Sequence, residues 1–265
     1  MEGATDGPRW PSSQSATKEL ASQTQGCEVC FCAPASRFSW RDEDVPHRRV
    51  ADVFVDVCTQ RDYLSSDGAR PTANARTVQQ NVKHLMAFAR WAKIPTISCV
   101  DARRPDTVRG VPHPHCVLGT PGQRKITFSV LPDHVTIESD NLLCISLEIL
   151  QQHQQAILIK QHRDPFTNPK LDRLLTEVPT QHFTVFGVAL EASIRLLVLG
   201  LLLRHRHATV IHDACGFWNP SEADMALRQL AAKGCEIRST HEVIRERLTQ
   251  LRTGARSPRQ RPYVA

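Results

Sequence analysis

The rhythm of apolar and polar positions changes at about Arg49. From there onward, short β-branched runs alternate with longer stretches whose apolar residues recur at helical spacing. The runs Ala51–Cys58, Thr96–Asp101, Lys125–Val130, Ala156–Lys160, His182–Ala189, Ala208–Asp213 and Cys235–Ser239 are short and apolar, as buried strands are. Between them, Thr72–Lys93 places Val78, Val82, Leu85, Met86 and Ala89 on one helical face. Glu191–His205 is apolar around nearly its whole circumference, which predicts a central, deeply buried helix. Ser221 opens a further helix that ends before Gly234, and Ser239 with Glu242 forms a capping box for a last helix ending near Arg252. This alternation predicts a three-layer α/β/α domain built on a mostly parallel, Rossmann-like sheet of about six strands, with helices on both faces.

The chain divides into three parts on the same grounds. Residues 1–46 are rich in Ser, Thr, Gly, Pro and Gln and offer too little apolar surface to offset the entropy of ordering, so they are expected to be a disordered leader. Residues 47–252 form the domain, and 253–265 a basic flexible tail. Inside the leader, Cys27, Cys30 and Cys32 have the spacing of soft-metal ligands, but a closed zinc site needs a fourth, and His47 is the nearest histidine. Loose thiols are the favoured reading of that cluster. The stretch Ala102–Arg124, rich in Pro, Gly and His, is too long for a simple turn and is expected to overhang a site.

Composition narrows the function classes. The chain has 265 residues, 41% of them hydrophobic, enough for one domain with a sizeable core. No apolar run reaches the roughly 20 residues of a membrane span; the longest, Ile194 to Leu203, is broken by Arg195. The N-terminal residues carry acids and prolines where a secretory signal would be basic and then apolar, and nine cysteines, several inside strand-like runs, suit a reducing compartment. A cytoplasmic location is expected. The net charge of +6 is concentrated in Arg245–Arg261 without aromatic interleaving, so nucleic acid is not an expected partner.

In an open parallel sheet, ligands bind beyond the carboxyl ends of the strands. Four segments lie there: Val55-Asp-Val-Cys-Thr-Gln-Arg-Asp-Tyr63; Val100-Asp-Ala-Arg103 with Pro112-His-Pro-His-Cys116; Ile159-Lys160 running to Pro165-Phe166; and Phe186-Gly-Val-Ala-Leu-Glu-Ala-Ser-Ile194. Together, over roughly Val50 to Leu248, they resemble the isochorismatase-like cysteine hydrolases, the family that includes nicotinamidases. The resemblance implies a triad of Asp, Lys and Cys, in which a thiolate at a helix start attacks an amide while the Asp moves a proton. Aligned on Gln60, Asp62 and Tyr63, the acid's position holds Cys58. The lysine matches Lys160, with Phe166 behind it. The nucleophile's position, after Gly187-Val188-Ala189-Leu190-Glu191-Ala192, holds Ser193. Ala189 falls in the family's oxyanion stretch, and Gln60 and Phe166 at its substrate-binding positions.

Metal-using relatives hold zinc or another divalent ion through an Asp-x-His pair and a later His, matched here by Asp101 and His115, while Arg103 stands where the pair's His belongs. His113 is a possible replacement ligand. The loop Gly119-Thr-Pro-Gly-Gln123 also resembles one that follows the metal-binding His. Without an acid at position 58, a serine hydroxyl remains a weak nucleophile. Asp56 lies about 6–7 Å further back along the strand, Asp62 is expected to order the following loop, and Glu191 has an electrostatic role at a helix start. Two readings follow: an amide (C–N) hydrolase of weak or lost activity, using Ser193 or Cys58 beside Lys160, or a non-catalytic relative that binds a small amide, carbonyl or carboxylate compound or forms a homo-oligomer.

Overall fold

The computed structural model describes residues 52–138 and 144–253. The leader, its Cys27/Cys30/Cys32 cluster and the tail beyond Thr253 lie outside the described residues. Seven parallel strands form one sheet: β1 Val53–Val57, β2 Thr96–Asp101, β3 His134–Ile137, β4 Gln155–Lys160, β5 His182–Val188, β6 His207–Gly216 and β7 Glu236–Arg238, in the order β3-β4-β2-β1-β5-β6-β7. The helices are α1 Arg61–Leu64, α2 Ala75–Ala92, α3 Ile149–Gln152, α4 Pro169–Glu177, α5 Arg195–Leu203, α6 Pro220–Ala232 and α7 Thr240–Thr253. Every residue of β1 and of β4 is buried, so both faces of the sheet centre are covered. That is why these strands are mostly apolar runs rather than alternating ones, with Asp56 the one charged residue inside β1. Helices α2 and α7 pack on each other and on β6, while α5 packs on β6 and α6.

Six of the seven expected strands have an observed counterpart, two of them with shifted ends, and one expectation fails. Lys125–Val130 is not a strand. Lys125 makes only an isolated bridge with Gln60, and Thr127–Ser129 is a single 3₁₀ turn. The cause lies in its polar side chains: the Lys125 ammonium turns inward to the fully buried Asp56 at 2.5 Å and to the Thr59 hydroxyl at 2.8 Å, and Thr59 also meets Ser129. The edge strand instead is β3, four half-exposed residues with no apolar run to announce them. Cys235–Ser239 contracts to the three residues of β7, and the strand expected at Ala208–Asp213 extends to Gly216.

The stretch Glu191–His205 is not one helix buried all round. A π-type turn, Leu190–Ile194, precedes α5, and only Leu197, Val198, Gly200 and Leu201 of α5 are buried, Leu203 being 80% exposed. Helix α6 begins one residue before Ser221, with Asn219 as its cap: the Asn219 side chain accepts from the Ser221 and Glu222 amides. The capping box of α7 is formed, with the Ser239 amide donating to Glu242 at 2.7 Å and the Glu242 amide to Ser239 Oγ at 3.3 Å. No described helix is long and apolar enough to cross a membrane.

Candidate functional site

The strand order reverses about β1: the chain builds outward through β2 and beyond on one side, then returns to place β5 on the other. The carboxyl ends at such a reversal leave a crevice. Cys58 follows β1 directly, Asp101 ends β2, Lys160 ends β4 in register with Asp101, and Ser193 lies in the turn after β5. Cys58 has a left-handed backbone (φ +49°), which swings the chain from β1 into the turn to Gln60. Gly187 allows β5 to approach β1 closely: at φ +122°, a Cβ there would lie 2.0 Å from the Val57 carbonyl oxygen.

Lys160 is the hub. Its side chain is fully buried, and its ammonium donates to the Asp101 carboxylate, to the His162 carbonyl at 3.0 Å and to the Ser193 hydroxyl at 3.4 Å. Tyr63 donates to the other Asp101 oxygen at 2.7 Å. Burial alone would raise the Asp101 pKa, but the Lys160 charge and these hydrogen bonds outweigh it and hold the carboxyl below its usual range. Burial likewise opposes the Lys160 charge, and the Asp101 carboxylate beside it more than offsets this, so lysine stays an ammonium. Burial, a hydrogen bond with Cys99 and the Asp101 charge drive the Cys58 thiol well upward, so it is a neutral thiol. Asp56, the nearest other carboxylate in sequence, is committed to Lys125, Ser98 and Thr59.

The remaining expected residues divide. Gln60 is structural in its contacts: its amide donates to the Asp101 carbonyl at 2.7 Å and the Gln123 carbonyl at 2.6 Å, and its oxygen accepts from the Asp101 amide at 2.8 Å, so it fixes the end of β2. Asp62 orders the surrounding loops by accepting from the Ala69 and Cys116 amides. Glu191 accepts from the Trp218 amide at 2.8 Å. Ala189 and Ser193 line a solvent-open pocket with about 330 Å³ of space between its walls, together with Asp101 and His115. Phe166 does not line it. Its ring packs on Gly200 and under the Arg204 guanidinium, 3.9 Å away. Cys58 is 1% exposed and also lies outside the pocket lining, beneath the Lys160 hub.

An isochorismatase domain model matches residues 50–242, most of the chain. The chain belongs to the isochorismatase family. No curated protein matches its sequence. Among solved structures, it is similar to an isochorismatase family protein from Desulfovibrio vulgaris (18% identity, 75% of this chain and 98% of that one, TM-score 0.60). It is also similar to nicotinamidase PncA from Bacillus subtilis (16% identity, 71% and 99%, TM-score 0.57) and to a pyrazinamidase of Pyrococcus horikoshii in complex with zinc (20% identity, 71% and 98%, TM-score 0.57). At these identities the likeness is one of fold.

The side chains of this isochorismatase-family member do not fit a resident divalent ion at Asp101 and His115. Both Asp101 oxygens are engaged by Lys160 and Tyr63, and Arg103 adds a cation to the same pocket. Among the described residues no group of three His, Cys, Asp or Glu is placed to hold a metal, whereas catalytic zinc commonly takes three protein ligands. His115 is buried with Nε2 unpartnered, so one potential ligand faces the pocket without companions.

Sequence reasoning missed four residues that line the pocket. Arg70 and Arg163 follow the ends of β1 and β4 at a distance set by loops without periodicity, and Trp218 follows β6 directly. Tyr63 belonged to the first motif but was not given a site role. A scan of every loop at the carboxyl edge for cationic and aromatic residues would have found all four.

Proposed function

We propose that this isochorismatase-family chain binds a small carbonyl or carboxylate compound in the pocket beside Lys160 and hydrolyses amides weakly or not at all. The observation that carries the reading is the surroundings of Ser193. Its hydroxyl meets the Lys160 ammonium, a proton donor already held by Asp101, and an ammonium cannot take the serine's proton. A serine nucleophile needs a base within hydrogen-bond reach. The family resemblance puts Cys58 at the base's position, where a buried neutral thiol is a poor proton acceptor. The cations that line the pocket, Arg70, Arg103 and Arg163, suit a carbonyl or carboxylate oxygen.

Ammonia release from nicotinamide by the purified chain tests this. The expected rate is at background and unchanged by Ser193→Ala. Robust turnover abolished by Ser193→Ala would overturn it and make the chain a serine-dependent hydrolase.

Self-association through helical surfaces is part of the same proposal. It is supported by the exposed Leu203 at the end of α5 and Met225, 61% exposed, on α6. Sedimentation velocity at micromolar concentration is expected to give a dimer or larger species. A monomer that persists as concentration rises would contradict it.

A further inference from the structure

Three guanidinium groups frame the pocket: Arg70, Arg103 and Arg163. With Lys160 beneath, four cationic side chains surround one carboxylate, Asp101, which Lys160 and Tyr63 already hold. Among the described residues, none of the three arginines has a carboxylate partner within 4 Å. Arg70 is instead held flat on the Trp218 ring, 4.0 Å from its centroid, which fixes the guanidinium without neutralising it. His115, 6% exposed, also lines the pocket, and its buried Nε2 has no hydrogen-bond partner. Three cations gathered on one pocket rim repel one another, and an anion between them relieves that repulsion.

The walls say what kind of anion. Val188, Ala189 and the aromatic rings of Tyr63 and Trp218 supply apolar surface beside the cations. A guanidinium fork matches the two oxygens of a carboxylate, and the apolar walls suit an organic body more than a bare inorganic ion. Arg103 is central, because it follows Asp101 by two residues at the position where a metal-binding relative would keep a ligand for its cation.

We infer that this pocket selects a small organic carboxylate over the corresponding neutral amide, with Arg70, Arg103 and Arg163 holding the anion and Arg103 supplying a built-in cation in place of a metal. The inference rests on the small-molecule-binding reading above and narrows its ligand. Benzoate and benzamide have the same shape and differ in charge, so they isolate the charge preference.

Isothermal titration calorimetry of the full chain with benzoate, benzamide and inorganic phosphate is the test. Benzoate is expected to bind at least about tenfold more tightly than either of the others, and more weakly as salt is raised. Arg103→Gln and Arg163→Gln should each weaken benzoate by about tenfold or more and benzamide by much less. Arg163 is exposed, so its variant keeps the test open if the half-buried Arg103 variant fails to fold. Equal binding of benzoate and benzamide, tighter binding of phosphate than of benzoate, or benzoate affinity untouched in both variants would overturn the inference. Ammonia released from benzamide in the same samples reads turnover separately, so failure of the inactive reading is seen apart from failure of the charge preference.

Discussion

Lys160 and Asp101 depend on each other in a way that neither does on solvent. The lysine side chain is fully buried and the aspartate 15% exposed, so removing one charge strands the other in a medium that solvates it poorly. Asp101→Asn is therefore expected to cost about 3–5 kcal/mol in urea unfolding, the range for breaking a buried pair from one side. A loss under about 1 kcal/mol would mean that water reaches Lys160 freely. The pH dependence has a fixed sign. Asp101's folded pKa lies below its unfolded value of 3.8, so its contribution is present above about pH 4 and is lost as pH falls through the folded value. Lys160 and Ser193 were legible in the sequence because each sits at a fixed step from a strand end. Phe166 was not, because its direction depends on the Gly200 gap in α5, which only the packed structure reveals. Arg70 and Arg163 escaped notice for a related reason: a loop arginine in sequence is ordinarily a solvated charge, and only folding brings them to one pocket with Arg103.

The pairing of β1 with β5 is the element on which the site's geometry rests. Cys58 and the turn bearing Ser193 leave from the ends of these two strands, and their spacing is set where Gly187 lies against the Val57 carbonyl. Gly187→Ala would place a Cβ in that contact at a φ that side chains rarely adopt. It is expected to destabilise the fold by about 2 kcal/mol or more in urea or thermal unfolding; an unchanged midpoint would show that the two strands can separate locally at little cost. Strands at the sheet centre were readable because burial on both faces leaves a mostly apolar run, broken in β1 only by Asp56 and bounded in β4 by Gln155 and Lys160. The failures lie where that condition lapses. Edge strand β3 alternates exposed and half-buried residues over only four positions, while Lys125–Val130 looks like a strand yet spends its polar side chains on Asp56. The turn of Leu190–Ile194 was hidden inside an apolar stretch that continues into α5, and hydrophobicity alone does not mark a change of helical pitch.

Across the whole chain, an isochorismatase-family sheet brings Asp101, Lys160 and Ser193 to one edge while the surrounding loops deliver a cationic pocket. The family resemblance implies an acid after β1 and a thiol after β5 beside the lysine, at positions that Cys58 and Ser193 hold here. On the function proposed above, Cys58 and Ser193 leave amide hydrolysis weak or absent while the family fold is kept. The exchange is reversible in principle: aspartate tolerates the left-handed backbone at position 58 better than most residues, and Lys160 stands ready to stabilise both an acid and a thiolate. Ammonia release from nicotinamide should be measured for the unmodified chain, Cys58→Asp, Ser193→Cys and the double variant. The prediction is background rates for the first three and a rise of about 10²-fold or more in the double variant, the scale of a restored general base acting with its nucleophile. An unmodified chain that already turns over nicotinamide as fast as the double variant would contradict the account.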